Sequence, residues 1–86
     1  MIFVKINDSE EFQGWYDLLN PDEQKAVEIV KEELIKFSGT PNELEWVTFL
    51  DASNEFHADR MVNSKIVFIT FIPIGNDLEY KNCIVV

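Results

Sequence analysis

The chain has 86 residues, of which 47% are hydrophobic, and a formal net charge of −9 at pH 7. This length predicts a single domain spanning residues 1–86 with one modest core, and the apolar content excludes a disordered chain. The negative field repels phosphate backbones and anionic membranes and attracts basic surfaces, so we expect no direct nucleic-acid or membrane binding.

The N-terminal half predicts a short strand followed by two helices. Ile2–Ile6 alternates as a strand. Asp8, followed three residues later by Glu11, is a capping box for a helix from about Ser9 to Leu19. This helix places four apolar residues on one face: Phe12, Trp15, Tyr16 and Leu19.

The most complete pattern is an amphipathic helix between Asn20 and Gly39. Asn20 is the expected N-cap, Pro21 suits the first helical position, and Glu23 completes a capping box. Gly39 is the expected left-handed C-terminal stop, with Pro41 beyond it. Its apolar stripe, Val27, Val30, Leu34 and Phe37, indicates that the helix covers a flat apolar surface.

The C-terminal half changes to the alternation typical of strands, over residues 44–50, 55–62, 65–73 and 78–86. Asn63–Ser64 and Gly75–Asn76–Asp77 are the expected turns. The segment 52–64 has two interpretations, a strand or a loop that folds over the sheet. The predicted fold class is α+β, a two-layer sandwich of order β-α-α-β-β-β-β, with an antiparallel sheet covered on one face by two helices.

This order resembles the RelE/ParE/HigB group of small toxins, whose helical pair is similar to EEFQGWYDLLNPDEQKAVEIVKEELIKFSG. The resemblance covers roughly the first half of the chain and implies activity on RNA or on gyrase–DNA assemblies. The RNases of the group use clustered basic residues on the sheet. Here the strands carry Arg60, Lys65 and Lys81 against a larger number of carboxylates: Asp51, Glu55, Asp59, Asp77 and Glu79. The resemblance therefore gives a RelE/ParE-like toxin or ribosome-associated RNase as an alternative function, although an RNase with these carboxylates on its sheet would repel its substrate.

Few residues suggest catalysis or cofactor binding. Glu55, His57 and Asp59 project from one strand face as a possible metal-ligand set, although a solvated face explains them more simply. His57 and Cys83 form a nucleophile–base pair only if the fold brings them together. The glycines are isolated, so no phosphate-binding loop exists. We expect no catalytic residue, no metal and no cofactor.

The location follows from similar observations. The single cysteine cannot form an intramolecular disulfide, and the N-terminus lacks the features of a secretory signal. The longest apolar run, 66–72, is too short to cross a bilayer. We therefore expect a cytoplasmic protein.

The most informative anomaly is an excess of apolar residues on the sheet. Ile66, Phe68 and Ile72 lie on one face of the predicted strand 65–73, and Val67, Ile69 and Phe71 lie on the other. Because two helices cover only one face of a sheet, the second face is expected to expose several large side chains and so to mark an interface.

Charge and apolar excess together predict a small acidic non-catalytic inhibitor that binds a basic enzyme surface such as a nuclease. Such a chain would be an immunity protein, an antitoxin or a phage-encoded anti-defence protein. The predicted partner-binding residues are Glu43, Glu45, Trp46, Val47, Phe49, Asp51, Glu55 and Asp59. A second alternative is a homodimeric structural or regulatory module, joined through the second sheet face.

Overall fold

The computed structural model describes residues 6–37 and 39–86 of the chain. The elements are β1 (Ile6–Asp8), α1 (Glu10–Asp17), α2 (Pro21–Lys36), a 3₁₀ helix (Pro41–Glu43), β2 (Val47–Leu50), β3 (Glu55–Val62), β4 (Lys65–Ile74) and β5 (Asp77–Val85). Both helices pack against the sheet, which confirms the α+β two-layer sandwich. The predicted strand Ile2–Ile6 lies outside the described residues except for Ile6.

The five strands form one sheet in the order β1-β5-β4-β3-β2. Strands β2 to β5 are an antiparallel meander, as predicted, whereas β1 lies parallel to β5 at one edge, with Ile6 opposite Leu78. The sheet is therefore mixed rather than wholly antiparallel. Alternation within a strand specifies which residues share a face, but it does not specify where an edge strand pairs.

Ser9, rather than Asp8, caps α1. The Ser9 hydroxyl accepts a hydrogen bond from the Phe12 backbone N–H at 3.0 Å and donates one to the Tyr80 carbonyl at 2.7 Å. One side chain therefore both starts the helix and joins it to β5. Asp8 instead lies in β1, where its carboxylate contacts Lys31 Nζ at 3.0 Å, so the predicted Asp8 cap is wrong.

The predicted start of α2 is confirmed, whereas the predicted glycine stop at its other end is not. Asn20 and Glu23 form the predicted capping box, with both reciprocal hydrogen bonds at 2.9 Å. The helix ends at Lys36 because Phe37 turns to an extended backbone, and Gly39 does not adopt a left-handed φ. Gly39 instead permits a close approach, because a Cβ there would lie 3.0 Å from the Phe37 ring. The prediction of a glycine stop is therefore wrong.

Two tight hairpins set the register of the meander. Asn63 and Ser64 have φ of 52° and 68° and connect the pair Val62–Lys65. Gly75, with φ of 60°, begins the turn between Ile74 and Asp77. Positive φ in two-residue loops matches the right-handed twist of the flanking strands. Both predicted turns are confirmed.

The core lies between the helices and one face of the sheet. Its largest fully buried side chains come from both layers: Tyr80, Phe12, Phe71, Ile69, Leu78, Val27, Val30 and Val67. The predicted α2 stripe is buried at Val27, Val30 and Leu34. Because residues 55–62 form β3 inside the sheet, they are a strand and do not fold over its second face.

Candidate protein-binding surface

The alternation of burial along β3 separates the two faces of the sheet. Phe56 and Ala58 are buried and point toward the helices, whereas His57, Asp59 and Met61 are exposed on the other side. We call the helix side the covered face and the opposite side the open face. In the described chain, both helices pack on the covered face.

The middle of the open face is a line of mostly apolar side chains along β4. We call this line the spine, and its residues are Ile66, Phe68, Thr70, Ile72 and Ile74. Phe68 is 40% exposed and Ile74 is 48% exposed, while Ile66 and Ile72 are half-buried. Large apolar groups held in water along a rigid strand are typical of an interface.

The strands beside the spine extend the apolar surface at one end. Met61 of β3 pairs with Ile66, and Ile84 of β5 pairs with Phe68. Met61 is 69% exposed and Ile84 is 43% exposed. Val86 exchanges two backbone hydrogen bonds with Ile66, which places it at the same end of the sheet.

Carboxylates flank the spine on both sides. Asp59 pairs with Phe68 from the β3 side, and Glu79 pairs with Ile72 from the β5 side. Glu55 shares the face of Asp59 because it lies four residues earlier in the same strand. The open face therefore combines an apolar centre with negatively charged flanks.

The described cations lie on the helix side of the molecule. Lys25, Lys31 and Lys36 belong to α2, Arg60 reaches Glu33 of α2, and Lys81 reaches Glu11 of α1. Lys65 shares the strand face of buried Val67. Within residues 6–37 and 39–86, no lysine or arginine forms an ion pair with an open-face carboxylate, and the charge of Lys81 contributes only a minor part of the lowered pKa of Glu55.

Glu55, His57 and Asp59, for which a solvated face is the simpler interpretation, do not assemble into a metal-ligand set. His57 Nε2 lies 3.0 Å from Glu55 Oε1, and this hydrogen bond is the main cause that lowers the pKa of Glu55. Asp59 is on the same face, but no group of three metal-ligating side chains comes together among the described residues. The Glu55–His57 pair accordingly orients one of the flanking carboxylates.

Three predicted partner-binding residues lie elsewhere than expected. Val47 is 4% exposed in the core, and Phe49 is half-buried with its ring centroid 4.7 Å from that of Phe56. Trp46 packs beside α2, beneath the Arg60 guanidinium at 5.0 Å from its ring centroid. The prediction that Val47 and Phe49 are exposed for a partner is wrong, because they share the face of buried Phe56 and Ala58.

The predicted acidic residues divide into two groups. Glu55 and Asp59 lie on the open face. Glu43 accepts a hydrogen bond from the Thr40 N–H at 2.8 Å, so it caps the 3₁₀ helix. Glu45 precedes β2 and Asp51 follows it, and both are exposed. The structure thus does not bring the eight predicted residues into one surface.

A shallow groove of about 380 Å³ lies beside α2. It is lined by Glu33, Lys36, Phe37, Leu44, Trp46 and Arg60. Two hydrogen bonds of 2.8 and 3.0 Å hold the Arg60 guanidinium against the Glu33 carboxylate. Because Arg60 is already paired, its guanidinium offers little uncompensated charge to a ligand in the groove.

The fold does not bring His57 and Cys83 together. Cys83 is fully buried on the covered face, whereas His57 is on the open face. Burial raises the pKa of the Cys83 thiol to about 11, which keeps it protonated at neutral pH. A buried, protonated thiol is a structural residue rather than a nucleophile.

The surface residues that the sequence prediction missed are Met61, Ile84 and Val86, with Ile66, Phe68 and Ile72 recognised but not assigned to the open face. A signal for that assignment was present. The two-residue loop Asn63–Ser64 requires Val62 to pair with Lys65. Apolar Phe56, Ala58 and Val62 mark the covered face of β3. Because paired residues share a face, the pairing of Val62 with Lys65 places Ile66, Phe68 and Ile72 on the open face of β4.

Comparisons with known proteins found no matching family model, and no curated protein or solved structure matches the chain significantly. In the described part of the chain, neither helix is long and apolar enough to cross a membrane.

Proposed function

We propose that this chain is a non-catalytic inhibitor that binds the basic surface of an enzyme, such as a nuclease, through its open face. The proposal keeps the function predicted from charge and moves the contact surface to the spine and its flanks. The observation that carries it is the combination of exposed apolar residues with carboxylates that form no ion pair with a described lysine or arginine.

The two components of the surface have separate roles in binding. The net charge of −9 steers a basic partner toward the chain and raises the association rate. Phe68 and Ile84 supply apolar area whose burial slows dissociation. A strand in the middle of a sheet presents these anchors with little loss of conformational entropy.

The test combines capture with inhibition. Wild-type protein and a Phe68→Asp, Ile84→Asp variant are used as baits in extracts of the source cells, after circular dichroism shows that both are folded. We expect a basic enzyme to be retained by the wild type alone, and the purified wild type to lower that enzyme's activity at stoichiometric concentration.

The contrary outcomes separate the alternatives. Capture without inhibition would remove the inhibitor function but leave a binding module. A stable dimer in sedimentation that the double substitution abolishes would favour the homodimeric module. Growth arrest with RNA cleavage on expression of this chain alone would favour a RelE/ParE-like toxin.

A further inference from the structure

The open face has the shape of a site for one helix. The spine runs through eight residue steps from Ile66 to Ile74, which is roughly 26 Å of strand. An α-helix of about 17 residues has this length. The spine is one strand wide, and the adjacent strands lie about 4.8 Å away on either side, so a helix of about 10 Å diameter covers the spine and reaches both flanks.

The chemistry of the flanks specifies what this helix carries. Asp59 and Glu55 lie along the β3 flank, and Glu79 lies on the β5 flank. Glu79 pairs with Ile72, and Glu55 directly precedes Phe56, which pairs with Phe71, so carboxylates bound the apolar line on both sides near that point. A helix with one apolar stripe and with lysine or arginine on both sides of the stripe complements this pattern.

A second copy of the chain fits the surface less well. Face-to-face packing of two open faces would bring the carboxylates of Glu55, Asp59 and Glu79 in one copy against those in the other. In neither copy does a described lysine or arginine form an ion pair with these carboxylates. Like charges opposed at an interface are destabilising, and buried carboxylates without partners are more so.

Resting on the proposed function, we propose that the partner binds through a basic amphipathic helix that lies along β4. Its apolar stripe packs on the spine, and its cations pair with Asp59 and Glu55 on one side and with Glu79 on the other. The helix completes a third layer on the sheet, opposite α1 and α2.

The test uses model peptides of about 17 residues, the length that spans the spine. The first peptide places leucines three and four residues apart and flanks them with lysines. The second has the same composition in alternating order, so that its pattern is that of a strand. The third replaces every lysine of the first with glutamate. Binding is measured by the change in amide resonances of isotope-labelled full-length chain during titration.

We expect the helical lysine peptide to shift the amides of β3, β4 and β5 around Phe68 and to become helical on binding. The alternating and glutamate peptides are each expected to bind at least about tenfold more weakly. Phe68→Asp should weaken the affinity for the helical lysine peptide by about tenfold or more, because it places a charge in the middle of the apolar contact.

Matched substitutions on the helix layer control for charge. Ile35 is 62% exposed on α2, so Ile35→Asp adds the same charge away from the open face and should leave the affinity unchanged. Neutralising the flanks with Glu55→Gln, Asp59→Asn and Glu79→Gln is compared with Glu10→Gln, Asp22→Asn and Glu32→Gln. Only the first set should weaken binding beyond the general effect of three lost charges.

Equal binding of the helical and alternating peptides, or shifts that map to the groove beside α2, would overturn the helix proposal. This failure differs from failure of the proposed function. If an enzyme is inhibited and Phe68→Asp abolishes inhibition, but cross-links from the open face reach a non-helical segment, the inhibitor function stands and the helix does not. If the helical peptide binds as expected but no enzyme is inhibited, the open face is a site for a basic helix and the inhibitor function is wrong.

Discussion

The two faces of β4 use the same kinds of residue for different purposes. Phe71 is fully buried on the covered face, where its ring stacks on Phe56 at 5.0 Å and meets Tyr80 edge-on at 6.0 Å. Phe68, three residues earlier, is 40% exposed on the open face. One strand therefore supplies both the centre of the core and the centre of the candidate surface, and composition alone does not distinguish them.

Charge distinguishes the faces more clearly than hydrophobicity does. On the covered side, Lys31 is close to Asp8 and Glu28 and lies over the rings of Phe12 and Tyr80 at 5.0 and 5.1 Å. On the open face, the carboxylates of Asp59 and Glu79 form no ion pair with a described lysine or arginine. On the helix side Lys31, Arg60 and Lys81 form ion pairs within the chain, whereas Asp59 and Glu79 on the open face retain their charge for an external partner.

The largest effect that tests this comparison comes from truncating each phenylalanine. Phe71→Ala should lower the free energy of unfolding by about 3–5 kcal/mol, since it leaves a cavity among stacked rings. Phe68→Ala should lower it by only about 1 kcal/mol, because the side chain packs on the sheet from one side. Urea unfolding followed by circular dichroism measures both.

Binding should show the opposite order. Phe68→Ala should weaken capture of a partner, while any Phe71→Ala protein that remains folded should bind as wild type does. Similar losses of stability for the two variants would mean that the open face is covered in solution, and the proposed surface would then be wrong.

Local sequence patterns predicted α2 and the two hairpin turns, but they did not predict which face of the sheet meets the helices. The α2 capping box at Asn20 and Glu23 and the turns at Asn63–Ser64 and Gly75 depend on local chemistry, so short patterns predicted them. Assigning Val47 and Phe49 to the surface failed because both faces of the central strands are apolar. Only the pairing between strands, which is a non-local property, determines which of two apolar faces meets the helices.

The start of α1 illustrates the same limit on a smaller scale. Asp8 and Ser9 are both good N-cap residues. Two contacts decide between them: the Tyr80 carbonyl on the neighbouring strand accepts a hydrogen bond from the Ser9 hydroxyl, and Lys31 forms an ion pair with Asp8. Tertiary contacts therefore selected between local signals of similar strength.

The buried groups of the covered face also predict how stability depends on pH. Burial raises the pKa of Cys83 to about 11 and that of Tyr80 still further above its ordinary value. The unfolded chain releases these protons at lower pH than the folded chain does. The protonated Cys83 thiol therefore makes its full contribution to the free energy of unfolding below the unfolded pKa of the thiol. This contribution is lost as pH rises through the folded pKa. Unfolding free energy should fall by about 2 kcal/mol from the thiol alone between pH 8.5 and 11.

Urea titrations at several alkaline pH values measure this slope, and Cys83→Ala provides the control. Its stability should change less than that of wild type over the lower part of this range, where Tyr80 remains protonated in both folded and unfolded chains. An equally steep loss in the variant would show that the thiol is not the group responsible. Open-face substitutions such as Phe68→Ala should leave the slope unchanged, because Cys83 is on the other face.

The smallest expected effect comes from the Asn63–Ser64 hairpin, which sets the register between β3 and β4. Ser64 has φ of 68°, a left-handed conformation that glycine adopts without the steric cost of a Cβ. Ser64→Gly creates the Asn-Gly pair favoured in two-residue loops, so we expect a gain of about 0.5–1 kcal/mol in unfolding free energy. Since the register Val62–Lys65 is unchanged, binding at the open face should be unaffected. A variant that gains stability but loses binding would show that the loop itself contacts the partner, and a loss of stability would show that the Ser64 side chain contributes more than its backbone strain costs.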